Sequence, residues 1–197
     1  MRCATIPYSP DCTEAVKLPI DTLLWTDSCD ISAYAELCYT DDALFVRLTA
    51  NERHVRAEEA GLLGMPCLDS CLEFFFSPEA GDGRYFNIEF NPNGCVYLGI
   101  GTGRTDATRL VLYDLDDVLC PRITRFSGGW SVEYRVPFAF IRRFFPKFGA
   151  VTGKTMRANL YKCGDLTEKP HYLSWNPVEV QDPDFHLSEW FGTLILG

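Results

Sequence analysis

Asp69-Ser70-Cys71-Leu72-Glu73-Phe74-Phe75-Phe76-Ser77 and, beyond a Gly81-Asp82-Gly83 turn, Arg84-Tyr85-Phe86-Asn87-Ile88-Glu89-Phe90 decide the fold class. Successive side chains of an extended strand point to opposite faces. In the first run Leu72, Phe74 and Phe76 therefore share one face, and Asp69, Cys71, Glu73 and Phe75 share the other. In the second, Phe86, Ile88 and Phe90 point one way and Tyr85, Asn87 and Glu89 the other. The Asn91-Pro92-Asn93-Gly94 turn leads into Cys95 to Gly101, where Val96, Leu98 and Ile100 continue the apolar set. Three consecutive strands thus form a meander with an apolar inner layer and a polar outer strip.

The same punctuation extends outward. Ala35 to Thr40 and Ala43 to Ala50 flank Asp41-Asp42 as a hairpin. The more polar Asn51 to Pro66 predicts a helix around Glu52 to Ala60. Strands are predicted at Arg122 to Phe126, Trp130 to Val136, Thr155 to Tyr161 and Phe191 to Leu196, and a short helix at Phe138 to Phe145 with Pro137 at its first turn. Trp130 points the same way as Val132 and Tyr134 and is predicted to be core. Many short alternating strands predict an all-β antiparallel β-sandwich, jelly-roll or immunoglobulin-like, with one or two short helices. No repeat, low-complexity tract or long linker divides the 197 residues, so residues 1–197 read as a single domain.

A formal net charge of −9 repels phosphate backbones and anionic lipid, so neither nucleic acid nor membrane is expected as a partner. Nine cysteines are scattered without any C-x-x-C pair, which reads as free thiols in a reducing compartment. With no export signal visible at Met1 to Pro7 and no run of 18 apolar residues, the expected location is cytoplasmic. Gly99-Ile100-Gly101-Thr102-Gly103-Arg104 and Gly149 to Thr155 miss the spacing of phosphate loops and read as turns. Neither G-x-S-x-G nor H-E-x-x-H occurs.

Glu73, Tyr85, Asn87 and Glu89 on the outer strip, with Arg157, Asn159 and Tyr161 sharing one face of a later strand, are either a solvated sheet face or a ledge for a polyol. Carboxylate, amide and guanidinium groups make directional hydrogen bonds to vicinal hydroxyls, and aromatics stack on sugar rings. A resemblance favours the second reading. Asp69 to Phe76 is similar to the D-S-x-E-x-F strand of carbohydrate-binding modules of family 9, with one extra residue before the Glu. Gly129-Trp130-Ser131-Val132-Glu133-Tyr134-Arg135-Val136-Pro137-Phe138 resembles that family's G-W-x-x-E-x-x-I-P-[FW] segment, and Phe191-Gly192-Thr193-Leu194 its closing F-G-x-L. The blocks keep the family's order from Trp25 to Leu196.

The resemblance implies a jelly-roll-like sandwich that binds sugars, often at chain ends, between aromatic side chains, with structural calcium in some relatives. Carried over, Glu73 takes the position of a ligand-contacting Glu, and Asn159 and Trp175 those of polar and aromatic contacts; Arg84, Glu89 and Arg104 transfer less directly. Where relatives carry a Trp before the Asp-Ser pair this chain has Met65-Pro66-Cys67-Leu68, so Trp190 or Tyr172 is the substitute for a second clamp residue. Trp175, next to a turn, reads equally as core or as an exposed platform; the predicted site takes it as platform, with Glu73, Glu89, Arg84, Arg104, Asn159 and Lys162 directed at hydroxyls. Such a binder requires no cofactor; Asp182 to Trp190 is a loop that could line the pocket, hold calcium or only close the sandwich end. Three rivals stay open: a glycosidase using Glu73 and Glu89, a haem-binding sandwich drawing on Met65, Met156, His171 and His186, and a purely structural or protein-interaction role.

Overall fold

The computed structural model describes residues 1–197 as fourteen strands, two α-helices and two 3₁₀ turns. In chain order the strands are β1 (Cys3–Ile6), β2 (Val16–Ile20), β3 (Thr22–Leu24), β4 (Ser32–Tyr39), β5 (Ala43–Asn51), β6 (Cys71–Ser77), β7 (Tyr85–Phe90), β8 (Val96–Gly101), β9 (Thr108–Arg109), β10 (Arg122–Phe126), β11 (Gly129–Pro137), β12 (Thr155–Cys163), β13 (Tyr172–Ser174) and β14 (Gly192–Leu196). The helices are α1 (Leu115–Val118) and α2 (Phe138–Phe144). No helix is long and apolar enough to cross a membrane.

Two sheets face each other. One runs β1-β14-β12-β6-β7-β8-β9, with β13 and β3 continuing it beside the C-terminal half of β12; the other runs β10-β11-β5-β4-β2. All pairings are antiparallel except β1 with β14. The meander forms as read: Phe74 faces Ile88, and Ile88 faces Leu98. Leu72, Phe74, Phe76, Phe86, Ile88 and Phe90 join Trp130, Val132, Leu160 and Leu194 in the core between the sheets. Each such side chain contributes about 1.5–3 kcal/mol by leaving water.

The predicted helix over Glu52 to Ala60 does not form. The Asp69-Ser70 pair takes its backbone groups instead: Asp69 Oδ2 accepts the Glu58 and Glu59 amides at 2.8 and 2.7 Å, and Ser70 Oγ accepts the Arg56 amide at 3.0 Å. Side-chain acceptors that capture successive N–H groups hold the backbone out of the helical ladder. The strands β1, β2, β3 and β13 were not legible in the sequence; each is short and held by pairing with distant chain.

Candidate functional site: a pocket on the outer sheet face

The register lines up outward side chains of the larger sheet in cross-strand rows. One row runs Tyr97, Glu89, Glu73, Tyr161, because Glu89 pairs with Tyr97, Glu73 with Glu89, and Tyr161 with Glu73. The next runs Cys71, Cys163, Tyr172, Leu24. The loop between β13 and β14 folds back over part of this face. Phe185 stacks on Tyr161 at 4.0 Å between ring centroids, and Phe185, Val178 and Phe191 build a second small core with Phe75, Tyr85 and Tyr161.

Where the loop stops, the face opens into a pocket of about 470 Å³. Glu73, Asn87 and Glu89 form its floor together with Cys163, and Trp25, Tyr172, Phe185 and Tyr97 supply aromatic walls. Trp25 is fixed by its indole N–H donating to the Val180 carbonyl at 2.8 Å and by rings of Tyr172 and Phe185 at 5.7 and 5.5 Å. Its φ of 52° lies in the left-handed region, a costly conformation for a bulky residue that surrounding packing must impose. Tyr97 leans over Gly99, where any Cβ would stand 2.8 Å from the ring. Arg109 lies over that ring at 4.7 Å and donates to the Gly64 and Val96 carbonyls. The glycine run that resembles a phosphate loop therefore places a tyrosine and, past the turn, Arg104.

The pocket is rich in acids. Burial and hydrogen bonding set their charge: desolvation pushes Glu73 up to about 7, opposed by the Cys163 thiol that donates to its Oε1 at 2.9 Å. Desolvation, then the neighbouring Glu73 charge, raises Glu89 well above the carboxylate range. Two carboxyls directly opposed on adjacent strands repel when both ionise. Asp165, half-buried on the wall, is also raised by desolvation. Arg104 is held by Asp184, with Nη2 to Oδ1 at 3.0 Å. Desolvation, with Arg104 nearby, lowers His186 to about 4, so its ring is neutral at pH 7 with Nδ1 at 2.9 Å from the Tyr85 hydroxyl.

Of the sequence-predicted site residues, Glu73, Glu89 and Arg104 meet at this pocket. Four do not. Trp175 is 2 % exposed in the inter-sheet core, packed where a Cβ on Gly192 would come within 2.6 Å of its ring; it has no face for a ligand, and the glycine of the closing F-G-x-L motif leaves the space its indole needs. Lys162 points inward by strand alternation and is fully buried, with Nζ at 2.6 Å from His171 Nε2, 3.2 Å from Glu52 Oε2 and 2.8 Å from the Cys163 carbonyl oxygen. Asn159 is a bracket: its amide donates to the Asn176 carbonyl and its Oδ1 accepts the Asn176 and Leu160 amides. Arg84 sits by α2, bonded to Asp82 and to the Phe144 carbonyl. Tyr172 lines the pocket and Trp190 does not.

Sequence reasoning passed over Trp25, Tyr97 and Asp165 as site residues, and reached His186 only through the 182–190 loop and as a haem donor. Tyr97 was within reach, since its period-2 position puts it outward beside Glu89. Trp25 was not, because β3 reaches the pocket only through β13. The haem donors are dispersed: Met156 is in the core and His171 is bonded to Lys162, leaving Met65 and His186 at the pocket. One group of three side chains gathers metal-ligating atoms within 4.8 Å of one another, Cys71, Glu73 and Cys163; two thiols suit a soft ion and not calcium. In the 182–190 loop Asp184 is engaged with Arg104 and the His186 amide, and no trio of carboxylates assembles there for calcium.

The chain matches the sequence pattern of carbohydrate-binding family 9 over residues 5–196. No curated protein matches it. Among solved structures, a protein from Bacteroides uniformis proposed to bind carbohydrate superimposes with a TM-score of 0.85 at 26% identity, over 100% of this chain and 99% of that one. A family 9 module from Caldicellulosiruptor kristjanssonii in complex with cellotriose gives 0.70 at 11% identity, over 99% and 93%. The family 9 module from the same organism in complex with glucose gives 0.68 at 12% identity, over 100% and 96%; at such identities the likeness to these two is one of fold. With the pattern running across nearly its whole length, this chain belongs to carbohydrate-binding family 9.

Proposed function

We propose that the chain binds a saccharide, a monosaccharide or a chain end, in the pocket between Tyr97 and the Trp25-Tyr172 wall. The observation that carries this reading is the row of polar side chains flanked by rings. Glu89 and Glu73 lie on rigid adjacent strands, with Tyr97 on one side and Tyr161 under Phe185 on the other. Floor groups address ring hydroxyls while aromatic walls cover the apolar faces of the sugar. The volume falls within the span of about 300–1,000 Å³ usual for small-molecule sites. Trp25 takes the platform role that the sequence assigned to Trp175, beside Tyr172, one of the two residues it offered as second clamp partner.

Binding without catalysis fits the geometry better than hydrolysis. Glu73 and Glu89 stand side by side on one floor, so they reach the same side of a ligand instead of flanking a scissile bond as a glycosidase pair does. Calorimetric titration with glucose, cellotriose and other mono- and oligosaccharides tests the proposal. Saturable binding is expected, weakened about 10-fold or more by Trp25→Ala in a variant whose circular dichroism and melting remain those of a folded domain. No saturable binding by any saccharide, or equal affinity in Trp25→Ala, would overturn it.

A further inference from the structure

Resting on the saccharide reading of this pocket, we propose that its preferred ligand is an amino sugar, with the protonated amine seated against Glu89, Asn87 and Glu73. The floor holds acceptors that no protein donor satisfies. Asn87 and Glu89 are 2 % and 6 % exposed. The Asn87 amide donates to Glu89 Oε1 at 3.0 Å, which fixes the amide's orientation and leaves Asn87 Oδ1 and Glu89 Oε2 without a partner. Buried acceptors left unpaired cost about 1–3 kcal/mol each, and both side chains line the pocket.

The cations that could satisfy them are committed elsewhere. Arg104 is taken by Asp184, and Lys162 is turned into the core with Glu52 and His171. Arg109 is spent on the Gly64 and Val96 carbonyls, and the His186 ring is bonded to Tyr85. Asp165 adds a further carboxyl to the wall.

A neutral sugar hydroxyl would fill an acceptor but would do nothing to stabilise a carboxylate charge at the Glu73-Glu89 pair, which burial disfavours. An ammonium fills two acceptors and compensates the charge when one of the paired carboxyls ionises, forming charge-assisted hydrogen bonds inside a site where charges interact strongly. The aromatic walls add to this, because ring faces attract a nearby cation. The opposed carboxyls and the unpartnered oxygens thus select the same chemistry.

The experiment compares glucosamine, glucose and N-acetylglucosamine by calorimetry at pH 7 in buffer containing a chelator and no amine, with wild type, Glu89→Gln and Glu73→Gln. Glucosamine should bind at least ten-fold more tightly than glucose or N-acetylglucosamine, and Glu89→Gln should bring the ratio close to one. Melting curves of the two variants establish that they are folded. Equal affinity for glucosamine and glucose, or a preference that survives both substitutions, would overturn the inference while leaving saccharide binding intact. If none of the three sugars binds and the wider oligosaccharide panel is also silent, both readings fall.

Discussion

Replacing Lys162 by Met should destabilise the domain by about 3–5 kcal/mol, because it leaves the Glu52 carboxylate buried without its counter-charge. The structure sets the scale. Lys162 Nζ is fully buried at 3.2 Å from Glu52 Oε2, and Coulomb's law with an effective dielectric constant of about 20 puts that attraction at about 5 kcal/mol. Glu52 is held in place by the Ser70 hydroxyl donating to Oε1 at 2.7 Å, and the neutral His171 ring accepts from Lys162 through Nε2. Glu52→Gln should cost a similar amount by stranding the ammonium instead. The double variant Glu52→Gln/Lys162→Met removes both charges and should recover to within about 2 kcal/mol of wild type, since a buried pair offsets much of its own desolvation cost. Urea unfolding of the four proteins closes the cycle. Single variants that each lose less than about 1 kcal/mol, or a double variant whose losses add, would refute this account of Lys162.

Trp175→Ala should cost about 3–5 kcal/mol in urea unfolding, as a large core truncation does, and any drop in sugar affinity should follow the fraction unfolded; a stable variant with weakened binding would return Trp175 to the site. Gly192→Ala should also destabilise, since the new Cβ would stand 2.6 Å from the Trp175 ring and 2.9 Å from the Arg2 carbonyl oxygen; melting within a degree of wild type would contradict the close approach. Glu73 has its pKa raised from 4.5 to about 7 in the folded state, so the fold holds a proton that the unfolded chain has released. Its contribution is full below about pH 4.5 and is lost as pH rises through 7, by on the order of 3 kcal/mol. His171 and His186, both lowered to about 4, act with the opposite sign over the same range, so the readout is Glu73→Gln minus wild type between pH 5 and 8, where the variant should gain relative stability. A flat difference would count against the buried, protonated Glu73.

The meander was legible because alternation has a fixed period of two and the inner face is almost wholly Phe, Leu and Ile. The outward position of Glu73, Asn87 and Glu89 followed from the same count. Strand alternation also held the correct answer for Lys162, since Thr155 to Tyr161 extended by two residues places it with Leu160 and Met156 on the inner face; the chemistry of an ammonium argued against the core, and Glu52, 110 positions away, was the missing partner. Trp175 misled for a different reason. It follows a strand that is only three residues long and turns inward against Gly192, a contact between elements that no local pattern encodes. The pocket walls were hidden likewise: Trp25 and Tyr172 come together because β3 pairs with β13, and Phe185 belongs to a loop whose path over Tyr161 is fixed by packing. Asp69 and Ser70 read as the motif of a sugar-binding strand, yet their side chains organise the segment before it.

The central claim is that saccharide is held on the outer face of the larger sheet, over Glu73 and Glu89. Amide chemical-shift mapping of the ¹⁵N-labelled domain during titration with glucosamine and with cellotriose tests it most directly. The account predicts shifts concentrated at Asn87, Glu89, Tyr97, Asp165 and Tyr172. Shifts centred instead on the hollow of the opposite sheet lined by Arg47, Arg122 and Arg135, with the Glu73 and Glu89 row unmoved, would contradict it.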